Sequence, residues 1–113
     1  MQETKLGTVR IAPSVIATIV SLTAGAVEGV AGMSQVSHPP SRVIGRTNTG
    51  TAPGVTLHVR NGSIGVDLYI IAQPESNLRR LGQTLQRKIR EALDQMVGIP
   101  ADQVNVYIED VTE

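Results

Sequence analysis

His58 and Asp67 are the two side chains in this 113-residue chain best placed by type and spacing to move a proton, and their spacing asks for a hairpin. A two-residue turn at Asn61-Gly62 pairs residues whose numbers sum to 123, which makes Asp67 the diagonal neighbour of His58 across two strands. Such a pair serves as a general base or as a pH-sensitive contact. On an exposed sheet face it is more often a solvated surface contact, and that is the reading the residues favour. The only other histidine, His38, precedes Pro39, and neither histidine has a partner at metal-ligand or triad spacing. Glu109 and Asp110 are adjacent, so a strand points them to opposite faces. No serine stands in a nucleophile elbow, and the absence of cysteine excludes disulfides, thiolate metal sites and cysteine nucleophiles. The expectation is a non-enzyme with no catalytic residue, cofactor, metal or small-molecule substrate.

The glycines at 25, 29 and 32 do not fit G-x-G-x-x-G, and no Lys-Ser/Thr follows to make a phosphate loop. Gly29-Val30-Ala31-Gly32 does match the bare GXXG of a KH-type nucleic-acid-binding module, but that loop joins two helices, whereas 27–36 reads as extended. A KH-like module is therefore the alternative function, with nucleic acid disfavoured as a partner. The stronger signal is charge. Arg79, Arg80, Arg87, Lys88 and Arg90 stand against only Glu91 and Asp94, a net +3 over 77–97, while 98–113 holds Asp102, Glu109, Asp110 and Glu113 with no base, a net −4. The whole chain is neutral, with ten basic and ten acidic residues, only by cancellation. A basic helix face suits an acidic partner, nucleic acid or anionic head groups; otherwise it is a solvated surface.

The elements that must position these residues follow from periodicity. Thr8 to Ile11 alternates as a short strand with Val9 and Ile11 on one face. Pro13 suits a first helical position, and Val15, Ile16, Ile19, Val20 and Thr23 recur at helical spacing towards a stop at Gly25, a helix over 13–24. Val27, Val30, Met33 and Val36, punctuated by glycines, predict a kinked or bulged strand, whose glycines would let the first helix pack closely. The Pro-, Gly- and Thr-rich stretch 37–54 reads as a long, flexible loop. Asn61-Gly62 then sets Val59 opposite Ile64, Leu57 opposite Val66 and Val55 opposite Leu68, with Thr56, His58, Arg60, Asp67 and Tyr69 on the other face. Asn77 caps a second helix carrying Leu78, Leu81, Leu85, Ile89, Leu93 and Met96 inward, with Gly98 as its stop and Pro100 beyond it. Val104, Val106 and Ile108 alternate as the last strand, so the second helix is a crossover connection.

The fold expected is α+β: a single domain over 1–113, a two-layer sandwich of a predominantly antiparallel sheet with two helices on one face. Seventeen uncharged residues, 11–27, raise the question of a membrane span or a signal peptide. The stretch is too short and too polar to span, and the acidic Glu3 in the leader argues against secretion.

Four stretches, Gly7-Thr8-Val9-Arg10-Ile11-Ala12, Val27-Glu28-Gly29-Val30-Ala31-Gly32-Met33, Ser63-Ile64-Gly65-Val66-Asp67-Leu68-Tyr69-Ile70 and Val104-Asn105-Val106-Tyr107-Ile108, together resemble the alkaline shock protein twenty-three family of bacterial envelope stress response proteins. The resemblance covers nearly the whole chain outside 37–54, where Pro39-Pro40 and the Thr/Gly-rich run depart from a region richer in helix formers and lysine. It implies a small bacterial cytoplasmic protein without catalytic activity, held at the inner face of the envelope by a membrane-anchored partner and not by direct membrane insertion. Self-association and partner docking would then use Arg79, Arg80, Arg87, Lys88 and Arg90 on the helix and His58, Asp67 and Tyr69 on the sheet.

Overall fold

The structure is a computed structural model that describes residues 6–35, 48–60 and 62–112, the side chain of Asn48 excepted. Its element order is α1 (Pro13–Gly25), β1 (Val30–Met33), β2 (Asn48–Ala52), β3 (Val55–Arg60), β4 (Ser63–Ala72), α2 (Leu78–Ala92), a π-helical turn (Leu93–Val97) and β5 (Ala101–Val111). The hairpin register is the one the Asn-Gly turn demands, with Val59 opposite Ile64, Leu57 opposite Val66 and Val55 opposite Leu68. Gly62 sits at φ +79°, the left-handed conformation such a turn requires. Along β4 burial alternates at every residue, and Ile64, Val66, Leu68, Ile70 and Ala72 are all buried.

β4 organises the sheet because every neighbour must share its two edges. β5 runs parallel to it from Ile64 to Ala72 and fills one edge completely. The other edge is divided: β3 pairs with residues 63–68 and β1 with residues 70–72, both antiparallel. The junction is sewn by Tyr69, whose N–H donates to the Gly54 carbonyl at 2.8 Å and whose carbonyl accepts from the Ser34 N–H at 3.0 Å. β2 completes the sheet outside β3. The architecture is thus α+β with a predominantly antiparallel sheet, and α2 is the connection between two parallel strands.

Both helices bury their apolar sides in one cluster on one face of the sheet, where Ile16, Val20 and Ala24 of α1 and Leu81, Leu85 and Ile89 of α2 meet Leu57, Val66, Leu68 and Ile70. The stripe on α1 is rotated from the expected one: Ile16, Ala17, Val20 and Ala24 go inward and Val15 is 49% exposed. The missing side chain of Gly50 lets α1 approach β2 so closely that an added Cβ there would collide with the Pro13 backbone. On α2 the Asn77 side chain caps the first turn by accepting from the Arg80 N–H at 3.0 Å. Its last turn corrects the sequence reading. The π turn advances fewer degrees per residue than an α-helix, so Met96 swings out to 63% exposure and Val97 packs against the core in its place. Leu78, also expected inward, is exposed at the first turn. Gly98, at φ +80°, closes the turn by donating to the Leu93 carbonyl at 2.8 Å.

Three further expectations change. Thr8 to Ile11 forms no strand: Val9 is 90% exposed, and the segment 7–12 approaches α1 without a strand partner among the described residues. The bulged strand shrinks to Val30–Met33, with the irregularity between Val30 and Gly32. Gly29, at φ +104°, lies against Leu81 of α2 and not against the first helix; an added Cβ would come within 3.2 Å of Leu81 Cδ1. Finally, part of the 37–54 stretch is ordered, because β2 (Asn48–Ala52) pairs with β3 from Asn48–Val59 to Ala52–Val55. Its Thr/Gly composition hides a strand whose backbone pairing needs no apolar side chains. Residues 36–47, where the expectation of flexibility otherwise falls, lie outside the described residues.

Candidate functional site

The sandwich separates the candidate residues into two opposite surfaces. His58, Asp67 and Tyr69 lie on the sheet face turned away from the helices, because they alternate with Leu57, Val66, Leu68 and Ile70. Arg79, Arg80, Arg87, Lys88 and Arg90 are exposed on α2. At 100° per residue, Arg79, Arg80, Arg87 and Arg90 cluster opposite the buried Leu85, while Lys88 falls towards the α1 side. It lines a shallow depression with Thr84, Thr23, Ala26, Val27 and Glu28. No single site holds both sets.

On the sheet face the parallel pairing of β4 and β5 builds a row that neither strand has alone. Asp67 pairs with Asn105 and Tyr69 with Tyr107. Asn105 Nδ2 donates to Asp67 Oδ1 at 2.9 Å. The Tyr69 and Tyr107 rings stack with centroids 5.0 Å apart at 14°. Ser34, just past β1, donates its hydroxyl to Glu109 Oε1 at 2.8 Å, bridging over β4. Burial, followed by the nearby Asp67, Tyr107 and Glu109, pushes the Tyr69 phenol above its ordinary value. His58 stands opposite Gly65, and Asp67 opposite Thr56, so the diagonal relation holds while the Asp67 carboxylate takes its hydrogen bond from Asn105. The face is not uniformly solvated, since Thr56 is only 4% exposed.

Asn105, Tyr107 and Ser34 are site residues that the sequence reading did not single out, and Glu109 entered it only as an acidic residue beside Asp110. The alternation of Asn105, Tyr107 and Glu109 with Val104, Val106 and Ile108 signals a strand face, but the partners depend on a register that periodicity does not contain. The Gly29–Gly32 match to a KH loop finds no helix pair: it opens β1. Gly29 and Glu28 instead line an open cleft of about 570 Å³ at the start of α2, with Gln73, Glu75, Asn77 and Arg80. Among the described residues no helix is long and apolar enough to cross a membrane.

An uncharacterized protein of Streptococcus pyogenes, Spy1614, is 28% identical over 111 residues, covering 96% of this chain and 90% of its own length. Two uncharacterized proteins of Bacillus subtilis are similar to the same extent: YqhY, 29% identical over 108 residues, with 95% and 78% covered, and YloU, 26% identical over 111 residues, with 96% and 91% covered. No solved structure matches the chain. The family model matches residues 1–113, end to end, and its description is a cell envelope-related function. The chain therefore belongs to the alkaline shock protein twenty-three family, whose function is related to the cell envelope.

Proposed function

We propose that this protein is a non-enzymatic adaptor or scaffold of the envelope stress response, which associates with itself and docks on a membrane-anchored partner at the cytoplasmic face of the membrane. The observation that carries the reading is the two-sided surface. Arg79, Arg80, Arg87 and Arg90 form a basic strip on the outside of the helix layer, and the stacked Tyr69 and Tyr107 lie on the outside of the sheet layer. A domain with interaction chemistry on both layers can hold two neighbours at once. The strip suits an acidic segment of the partner, with charge steering the encounter and apolar or backbone contacts supplying lasting affinity. The acidic 98–113 stretch offers a complementary surface on a second copy.

The test is sedimentation across salt together with membrane co-fractionation of an Arg79→Glu, Arg80→Glu, Arg87→Glu variant. Wild type should associate, and its association should weaken at high salt while its circular dichroism stays constant. The variant should lose the salt-sensitive part and leave the membrane fraction. A wild type that stays monomeric at every salt and concentration, with a variant that fractionates normally, would sink the reading.

A further inference from the structure

The segment before α1 and the outer edge of β5 are each incomplete in a way the other can complete. Thr8 to Ile11 alternates as a strand in sequence, yet 7–12 pairs with no strand among the described residues, leaving Val9 at 90% and Ile11 at 39% exposure. Apolar alternation of this kind is a strand face without a sheet. Among the described residues β5, the longest strand there, pairs only with β4, which leaves its other edge open. That edge is occupied near its ends. Gln86 Nε2 donates to the Val104 carbonyl at 3.1 Å, and the Asp110 carboxylate accepts from the Val111 N–H at 2.8 Å. The stretch left between them, 105–110, is six residues long, room enough for the four of Thr8–Ile11.

The side chains match too. Above this edge, on the helix side, runs a groove whose floor is Leu78, Gly82, Val106 and Ile108 and whose polar rim is Arg79, Gln83 and Gln86, and a Cβ on Gly82 would meet nothing within 4 Å. A strand added to β5 would place Val9 and Ile11 in that groove and Arg10 on the opposite face, beside the Tyr107 and Glu109 side of the acidic strand. We infer that residues 7–12 of one copy add as an edge strand to β5 of a second copy.

The sheet itself forbids the same contact within one chain. Gly50, Leu57, Val66 and Val104 are successive partners in a row across β2, β3, β4 and β5. The segment enters α1 at Pro13, against Gly50, so it starts about 14 Å, three strand spacings, from its own β5. Its six residues cannot cross that distance and still pair. Among the described residues two other edges are unpaired: β1, which is four residues long and broken by its irregularity between Val30 and Gly32, and β2, which offers Thr49, Gly50 and Thr51 with no apolar row. Donor and acceptor thus sit on opposite edges, which makes the contact head-to-tail and open-ended.

The inference rests on the self-association proposed above and specifies its surface. It is tested with Val9→Glu/Ile11→Glu, which removes the donor, and Gly82→Leu, which fills the acceptor groove. Wild type should form a concentration-dependent series in sedimentation velocity, and each variant should weaken association roughly tenfold or more. Mixing the two variants pairs one intact donor with one intact acceptor, so the mixture should form heterodimers and stop there. If wild type associates and the donor variant associates equally, the inference fails while self-association stands; if wild type is monomeric throughout, both fail. A donor variant that associates normally but loses binding to anionic lipid vesicles would assign the segment to a lipid surface and overturn the inference. Should Gly82→Leu not fold, the donor variant decides alone, since Leu6, Val9 and Ile11 are already exposed.

Discussion

Tyr69 is the residue where structure and electrostatics meet most directly. Its burial disfavours the phenolate, and Asp67, Tyr107 and Glu109 each repel it, so the folded state holds the proton more tightly than the unfolded chain does. The phenol's folded-state value is raised. Its contribution to stability is therefore fully present below about pH 10, the unfolded value, and is lost as pH climbs through the higher folded one. In a Tyr107→Phe variant Tyr69 is the only tyrosine, and tyrosinate absorbance should titrate with a midpoint above about 10. A midpoint at or below the ordinary value would show that the sheet face does not restrain the phenol. At the same scale the two faces of the hairpin differ in what they tolerate. Leu57→Ala or Leu68→Ala should each cost about 2 to 5 kcal/mol in denaturant unfolding, because both are fully buried. His58→Ala should stay within about 0.5 kcal/mol. Near-neutral leucines with a costly His58 would reverse the assignment of faces.

Among the elements, α2 has the most to answer for, since it supplies both core and basic strip. Its glycine at position 82 lies in the helix interior, where a Cβ would meet only open space, and nothing in the packing requires it. Gly82→Ala should raise stability by about 0.5 to 1 kcal/mol through helix propensity. Gly29→Ala should do the opposite. Its φ of +104° is strained for alanine and its Cβ would press on Leu81, so a loss of about 1 kcal/mol or more is expected by thermal unfolding. Equal effects from the two substitutions would mean that the approach of Gly29 to α2 is not close in solution.

For the whole molecule, α1, α2 and the sheet share one core cluster, with no second cluster to unfold separately among the described residues. Heating should therefore give a single transition seen alike by near- and far-ultraviolet circular dichroism. Leu85→Ala, made in α2, should shift that whole transition and not only the helical signal. Two separated transitions would show that α1 and α2 do not share their stability. Charge also acts at this scale: a helix with net +3 is followed by a terminal stretch of net −4, so neutrality conceals a polar molecule.

Much of this protein is legible in the order of its residues. Strict alternation flanking Asn61-Gly62 determines the hairpin register, because a one-residue slip would turn every large aliphatic to solvent. Asn77, the leucine spacing and Gly98 delimit the second helix by capping chemistry, and the Val27–Met33 word with its companions carries the family resemblance. What these signals share is that they are local. Tertiary structure alone decided the rest. The parallel pairing of β4 with β5 assembled the Asp67–Asn105 and Tyr69–Tyr107 row, since register between strands so far apart in the chain is set by packing of α2 and not by periodicity. It also ordered Asn48–Ala52 through backbone bonds, exchanged Met96 for Val97 by a π turn, and left Thr8–Ile11 unpaired among the described residues although it reads as a strand. Alternation states that a segment can form a strand; only the number of available sheet edges decides whether it finds one.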